Sequence, residues 1–151
     1  MRVSAKVDYA LRAAVQLAAA GEGPTKGERI ADAQGIPLKF LENILLELRH
    51  NGLVQSQRGA DGGYWLARPP EEITLAEVIR AVEGPLANVR GTRPETLEYP
   101  GPAAGLRDIW VAVRASLRGV LETVTLADVA SGELPAEIGG LTSDPEAWQS
   151  H

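Results

Sequence analysis

No cysteine occurs anywhere in the chain. Disulfides, thiolate nucleophiles and cysteine-held zinc or iron–sulphur clusters are therefore excluded at the outset. Histidine is nearly as scarce: His50 and His151 are the only two, and neither has neighbours that make a metal site, so no metal and no cofactor is expected. Long apolar runs are missing as well. Stretches such as Ala13 to Ala20 break off well short of the ~20 residues a membrane span needs, and the first residues lack a secretory signal's basic start, apolar middle and cleavage site. The expected setting is cytoplasmic, with no membrane partner. An enzyme finds no support either, because there is no phosphate-binding glycine loop and the serines have no nearby base.

What is present is enough for one core. A chain of 151 residues that is 44% hydrophobic and 23% charged suits one globular domain with an appendage. The net charge of −5 is unevenly spread: residues 1–70 carry a balance of +2 and residues 71–151 one of −7, with all three lysines (Lys6, Lys26, Lys39) in the first half. An anionic partner would be drawn to the first half and repelled by the second, although +2 can arise without any such partner.

Ser4 is a candidate N-cap for a first helix in which Val7, Ala10, Leu11, Ala14, Leu17 and Ala18 recur at helical spacing down to Gly21. Thr25-Lys26-Gly27-Glu28 has the spacing of a capping box and predicts a short helix through Ile30 and Ala31 to Gly35. A further helix follows from near Pro37, with Leu41, Ile44, Leu45 and Leu48 on one face, Lys39, Phe40, Asn43 and Glu47 largely off it, and Asn51-Gly52 as its stop. Two short helices joined by a tight glycine-containing turn form a helix-turn-helix, whose second helix lies in a major groove. His50 suits that helix's negative end.

Leu53 to Gln57 and Tyr64 to Arg68 then read as strands around Arg58-Gly59-Ala60-Asp61-Gly62-Gly63, a wing whose glycines permit positive φ and whose Arg58 can reach a groove. Thr74-Leu75-Ala76-Glu77 is a second capping-box pattern, opening a helix with Leu75, Val78, Ile79 and Val82 inward and Gly84-Pro85 as its end. Periodicity is lost between Gly84 and Gly105, which makes this stretch either a sensing segment or a solvated linker.

The last strong helix spans about Leu106 to Val124, with Ile109, Val113, Leu117, Val120 and Leu121 in one stripe. Few other long helices exist to cover that stripe, so pairing with the same helix of a second subunit is the economical reading. Thr125-Leu126-Ala127-Asp128-Val129 echoes the residues from Thr74, as shared helix-start chemistry rather than duplication. Beyond Ser131 a polar, loosely ordered tail is expected. The expected organisation is thus a DNA-binding unit over 1–83, a sensing loop over 84–105, a dimerisation helix with its return over 106–130, and the tail over 131–151.

Glu28-Arg29-Ile30-Ala31, Leu38-Lys39-Phe40-Leu41-Glu42, Leu48-Arg49 through Gly52-Leu53-Val54, Arg58-Gly59 with Gly62-Gly63-Tyr64, and Ile73-Thr74-Leu75 occur in that order. From about Met1 to Val129 the chain thereby resembles the Rrf2 family of bacterial winged-helix regulators. The resemblance implies a mainly α fold with a small β-hairpin wing, a winged helix-turn-helix and a long dimerisation helix. It implies a homodimer on a partly palindromic double-stranded DNA operator, usually acting as a repressor. By position, base reading falls on Lys39, Phe40, Glu42 and Asn43, and a minor-groove contact on Arg58 with its neighbour Gly59. Lys26 and Ser56 are candidates for phosphate contacts, as is Arg49, for which an ordinary solvated surface is the favoured reading.

The best-known members hold a cluster through three cysteines, which this chain does not possess. Some also use an acidic residue of the first helix; Asp8 stands about there, as a surface or interface carboxylate. Control would then pass to a small molecule or a regulatory protein. Arg90, Arg93, Tyr99 and Trp110 could line a pocket for a planar or anionic effector, with Arg107 nearby, or Trp110 could pack in the subunit interface and the arginines stand in solvent. The alternative function is a winged-helix protein-interaction module that regulates a metabolic enzyme through its acidic half.

Overall fold

The computed structural model describes all residues 1–151. Its elements are mainly helical: α1 (Ala5–Ala20), α2 (Gly27–Gln34), α3 (Leu38–His50), strands β1 (Val54–Gln57) and β2 (Gly63–Leu66), then α4 (Leu75–Glu83), α5 (Leu106–Leu121), α6 (Leu126–Ser131) and α7 (Ala136–Thr142). No helix is long and apolar enough to cross a membrane.

Helix α1 is the centre of the fold. The Ser4 hydroxyl accepts from the Val7 amide at 3.1 Å, capping the helix. Val7, Ala10, Ala13, Ala14 and Leu17 are buried, and the three small alanines let α4 and α6 pack closely against it. Leu41, Ile44, Leu45 and Leu48 of α3 complete the core with Ile30, Ile73, Val78 and Leu126, and no polar side chain is buried among them.

The start of α2 departs from expectation. Thr25 is not an N-cap: Lys26 holds that position and no side chain caps the helix. Thr25 instead pairs with Tyr64, amide to carbonyl in both directions at 2.8 Å, and so adds a one-residue third strand to the wing. Its backbone cannot serve the ladder and a reciprocal cap at once. This contact also explains Gly63, where a Cβ would lie 2.6 Å from the Thr25 carbonyl oxygen.

The hairpin pairs Val54 with Leu66 and Gln57 with Gly63, so the second strand ends at Leu66 rather than Arg68. Its entry is fixed by Gly52 at φ 74°, which lets the Leu53 amide reach back to the Leu48 carbonyl at 3.0 Å. At α4 the expected capping box is complete: the Glu77 amide donates to Thr74 Oγ1 at 3.2 Å and the Thr74 amide to Glu77 Oε2 at 3.0 Å. Thr125 and Asp128 form a second complete box at α6. The two helix starts lie back to back, with the Leu75 amide on the Val124 carbonyl and the Leu126 amide on that of Ile73.

Residues 84–105 carry local structure although periodicity is absent. Leu86, Pro94 and Leu97 are buried, Val89 and Thr92 exchange backbone hydrogen bonds, and short 3-10 turns span Pro94–Thr96 and Gly101–Ala103. The tail also differs from expectation. It forms α7 and a turn at Pro145–Trp148, locked by the Trp148 indole N–H on the Thr142 carbonyl at 2.7 Å, although none of its residues is buried. By contrast, α5 runs sixteen residues without one buried position, and Ile109 is 56% exposed.

Candidate nucleic-acid interface

Helix α3 has two unlike faces. One is sunk into the core through Leu41, Ile44, Leu45 and Leu48, which fixes the helix in rotation. The other presents Lys39, Phe40, Glu42 and Asn43 to solvent within its first two turns. Lys39, Glu42 and Asn43 engage no protein partner through their side chains, leaving an ammonium, a carboxylate and an amide free to bond elsewhere. Phe40 is half-exposed and held edge-on to Tyr9 of α1, with ring centroids 5.6 Å apart. The Arg12 guanidinium covers the Tyr9 ring at 4.9 Å, and Arg12 pairs with Asp8 at 3.3 Å. Asp8 is thus a helix-surface carboxylate with an arginine partner.

The remaining predicted residues gather around the wing. Lys26 Nζ donates to the Gly59 carbonyl at 2.5 Å, tying the start of α2 to the loop tip. Arg49 Nη1 donates to Ser56 Oγ at 2.9 Å, joining the end of α3 to β1. Arg58 follows directly on β1, is exposed, and has neither an ion-pair nor a hydrogen-bond partner for its side chain. Gly62 makes the loop possible, since a Cβ there would fall 2.1 Å from the Gln57 carbonyl oxygen. Lys6 lies on this side as well, beside Asn43, and pairs with Glu47 at 2.8 Å.

The residues named for an effector do not share one pocket. Trp110 donates its indole N–H to the Tyr99 hydroxyl at 3.1 Å, and Arg107 pairs with its neighbour Asp108. Arg90 stands apart in the Val89–Thr92 turn with a left-handed φ of 51°. Arg93 alone lines a cleft, together with Arg80, Arg114 and Arg118, which sequence reading missed. Only the docking of α5 beside α4 brings these arginines together.

The arrangement of α2, turn, α3 and wing is matched by the Rrf2 family, described as an iron-dependent transcriptional regulator, over residues 3–132. The chain belongs to the Rrf2 family. A Mycobacterium tuberculosis protein named as a helix-turn-helix-type transcriptional regulator, Rv1287, is 52% identical over 151 residues, covering 99% of this chain and 94% of its own length. CymR of Bacillus subtilis, named as a transcriptional regulator of the same type, is 40% identical over 132 residues, covering 87% and 91%. The solved structure of that CymR superimposes with a TM-score of 0.73 at 39% identity, over 87% of this chain and 98% of that one. The structure of T. potens IscR superimposes with 0.71 at 33% identity over 100% and 93%.

Membership makes this chain a DNA-binding transcriptional regulator with a winged helix-turn-helix, and its relatives are named as regulators rather than enzymes. The iron in the Rrf2 description finds no matching donors here. There is no thiol, and nowhere do three His, Asp or Glu side chains converge.

Proposed function

We propose that the protein acts as a homodimeric repressor that reads a partly palindromic operator with α3 and the wing. The observation that carries this reading is the contrast on α3: four core residues lock it in place while Lys39, Glu42 and Asn43 stand unpartnered on the opposite side, with unpaired Arg58 on the adjoining hairpin. In a major groove Asn43 can address an adenine edge, Glu42 can accept from a cytosine amine, and Lys39 can reach guanine or a phosphate. Phe40, steadied by Tyr9, offers an apolar edge suited to a thymine methyl group. Arg58 enters the neighbouring minor groove beside Gly59, where narrow width concentrates negative potential.

Lys26 and Ser56 take supporting places. Each already bonds within the protein, Lys26 to Gly59 and Ser56 to Arg49, so they hold the wing against the helices and offer remaining donors to phosphates. Pairing of two chains through Ile109, Val113, Leu117, Val120 and Leu121 gives α5 the cover it lacks within one chain. Operator affinity answers to a small molecule or partner acting on residues 84–105, which form the link between the DNA-reading unit and α5.

A gel-shift salt series tests the DNA reading: binding to a selected operator persists at physiological salt and falls steeply as salt rises. Unchanged affinity in Lys39→Ala and Arg58→Ala would remove the named readers.

A further inference from the structure

Four of the six Lys/Arg residues in the acidic second half converge on one cleft of 480 Å³. Arg80 comes from α4, Arg93 from the segment that follows it, and Arg114 and Arg118 from one row of α5 beside the apolar stripe; Pro85 and Leu86 also line the cleft. Only two carboxylates answer them. Glu95 pairs with Arg114, and a single oxygen of Glu122 takes both Arg80 at 2.5 Å and Arg118 at 3.1 Å. Arg93 has no ion pair. Its charge nonetheless acts on Glu95, whose carboxyl is held below its usual range first by its own backbone amide, then by Arg114 and more weakly by Arg93.

The balance at the cleft is therefore two unneutralised guanidiniums, with most of the planar N–H donors of all four unused. Collecting that much like charge in one place is unfavourable without an anion. The cleft is open to solvent and lined mainly by charged side chains, which suits a small, highly charged ligand rather than an apolar one. Arginine forks match carboxylate and phosphate oxygens two at a time.

We infer that this cleft binds a small metabolite bearing two negative charges on oxyanion groups, held by Arg93 and Arg114 with Arg80 and Arg118 behind them. Such a ligand exchanges with Glu95 for Arg114 and fastens α5 and the 84–95 segment onto α4. Helix α4 in turn touches the DNA-reading unit: Asn51 at the end of α3 donates its side-chain amide to the Ala81 carbonyl at 3.2 Å, and Arg68 at the foot of the wing pairs with Glu77 at 2.6 Å. The site supplies the ligand class for the effector control proposed above, and it rests on that reading for its regulatory meaning only.

The test is calorimetric titration of the full chain in chloride buffer, without DNA, using succinate, inorganic phosphate and the monoanion acetate at matched ionic strength. A dianion is expected to bind about tenfold more tightly than acetate, and Arg93→Gln or Arg114→Gln to weaken it about tenfold. Glu95→Gln, which frees Arg114, is expected to tighten it, and Arg58→Ala to bind as the parent does. Which of succinate and phosphate binds better identifies the oxyanion. Equal binding of acetate and both dianions, or full affinity in Arg93→Gln and Arg114→Gln variants that melt at the parent temperature, would overturn the proposal. Because the titration contains no DNA, it is independent of the gel-shift series: dianion binding without operator binding refutes the proposed repressor and supports the cleft, and operator binding without dianion binding does the reverse.

Discussion

Arg58 and Gly63 sit five residues apart in the wing and do opposite work. Arg58 has no partner in the protein, so removing its side chain should leave stability unchanged while costing ~1–3 kcal/mol of operator affinity and lowering the salt slope by about one, as fluorescence anisotropy at several salt concentrations will record. Gly63 faces inward, against the Thr25 backbone. Gly63→Ala forces that backbone apart and should destabilise the folded chain by ~1–3 kcal/mol in urea denaturation, with loss of the Thr25–Tyr64 rung. A midpoint for Gly63→Ala equal to the parent's would show that the close approach is absent.

Glu77 joins residue chemistry to pH. Burial pushes its carboxyl up, but the Thr74 amide and the Arg68 guanidinium together outweigh that and hold it below the ordinary carboxylate range. A depressed folded value means that the stabilisation is complete above the ordinary range and is lost as pH falls through the lowered one. Urea midpoints measured from neutral to acid pH should therefore drop in the parent, and Glu77→Gln should drop less over that acid limb.

At the scale of elements, the two complete capping boxes invite direct comparison. Thr74→Ala and Thr125→Ala should each cost ~1 kcal/mol by urea denaturation, since each removes a side-chain acceptor from a helix-start amide. Thr25→Ala should cost little through capping, because Thr25 caps nothing and pairs through its backbone. That contrast also shows what was legible in the sequence. Thr25-x-x-Glu28 and Thr74-x-x-Glu77 share one local pattern, and only the distant strand containing Tyr64 separates them. Helix faces, the glycine stops and the wing could be read directly, because periodicity and turn chemistry are local.

The 84–105 segment could not be read, since its few buried residues, Leu86, Pro94 and Leu97, are held in turns and a short 3-10 segment rather than along a regular helix or strand. Left-handed φ at Ala87 and Arg90, positions where glycine is the usual choice, hid its turns further. The proposed readers on α3 were accessible because they fall on the polar side of a clear apolar stripe. The arginine cleft was not, because Arg80 lies more than thirty residues from Arg114 and meets it only through α5 docking.

At the scale of the molecule, α5 is the unfinished part. A sixteen-residue helix with no buried position and Ile109 largely in solvent is covered by a second copy in the proposed dimer. Ile109→Glu should convert the dimer to a monomer in sedimentation equilibrium and weaken operator binding sharply, while far-UV circular dichroism stays unchanged; a dimer that persists would place the interface elsewhere. The charge division fits this layout, with the proposed readers and the wing in the half that carries +2 and α5 in the half that carries −7.

The central claim is that α3 and the wing together select DNA, and selection from fragmented genomic DNA tests it most directly. The parent chain should enrich a partly palindromic sequence, and Asn43→Ala and Arg58→Ala, melting at the parent temperature, should fail to enrich it. Equal enrichment of the same sequence by the parent and both variants would contradict the account.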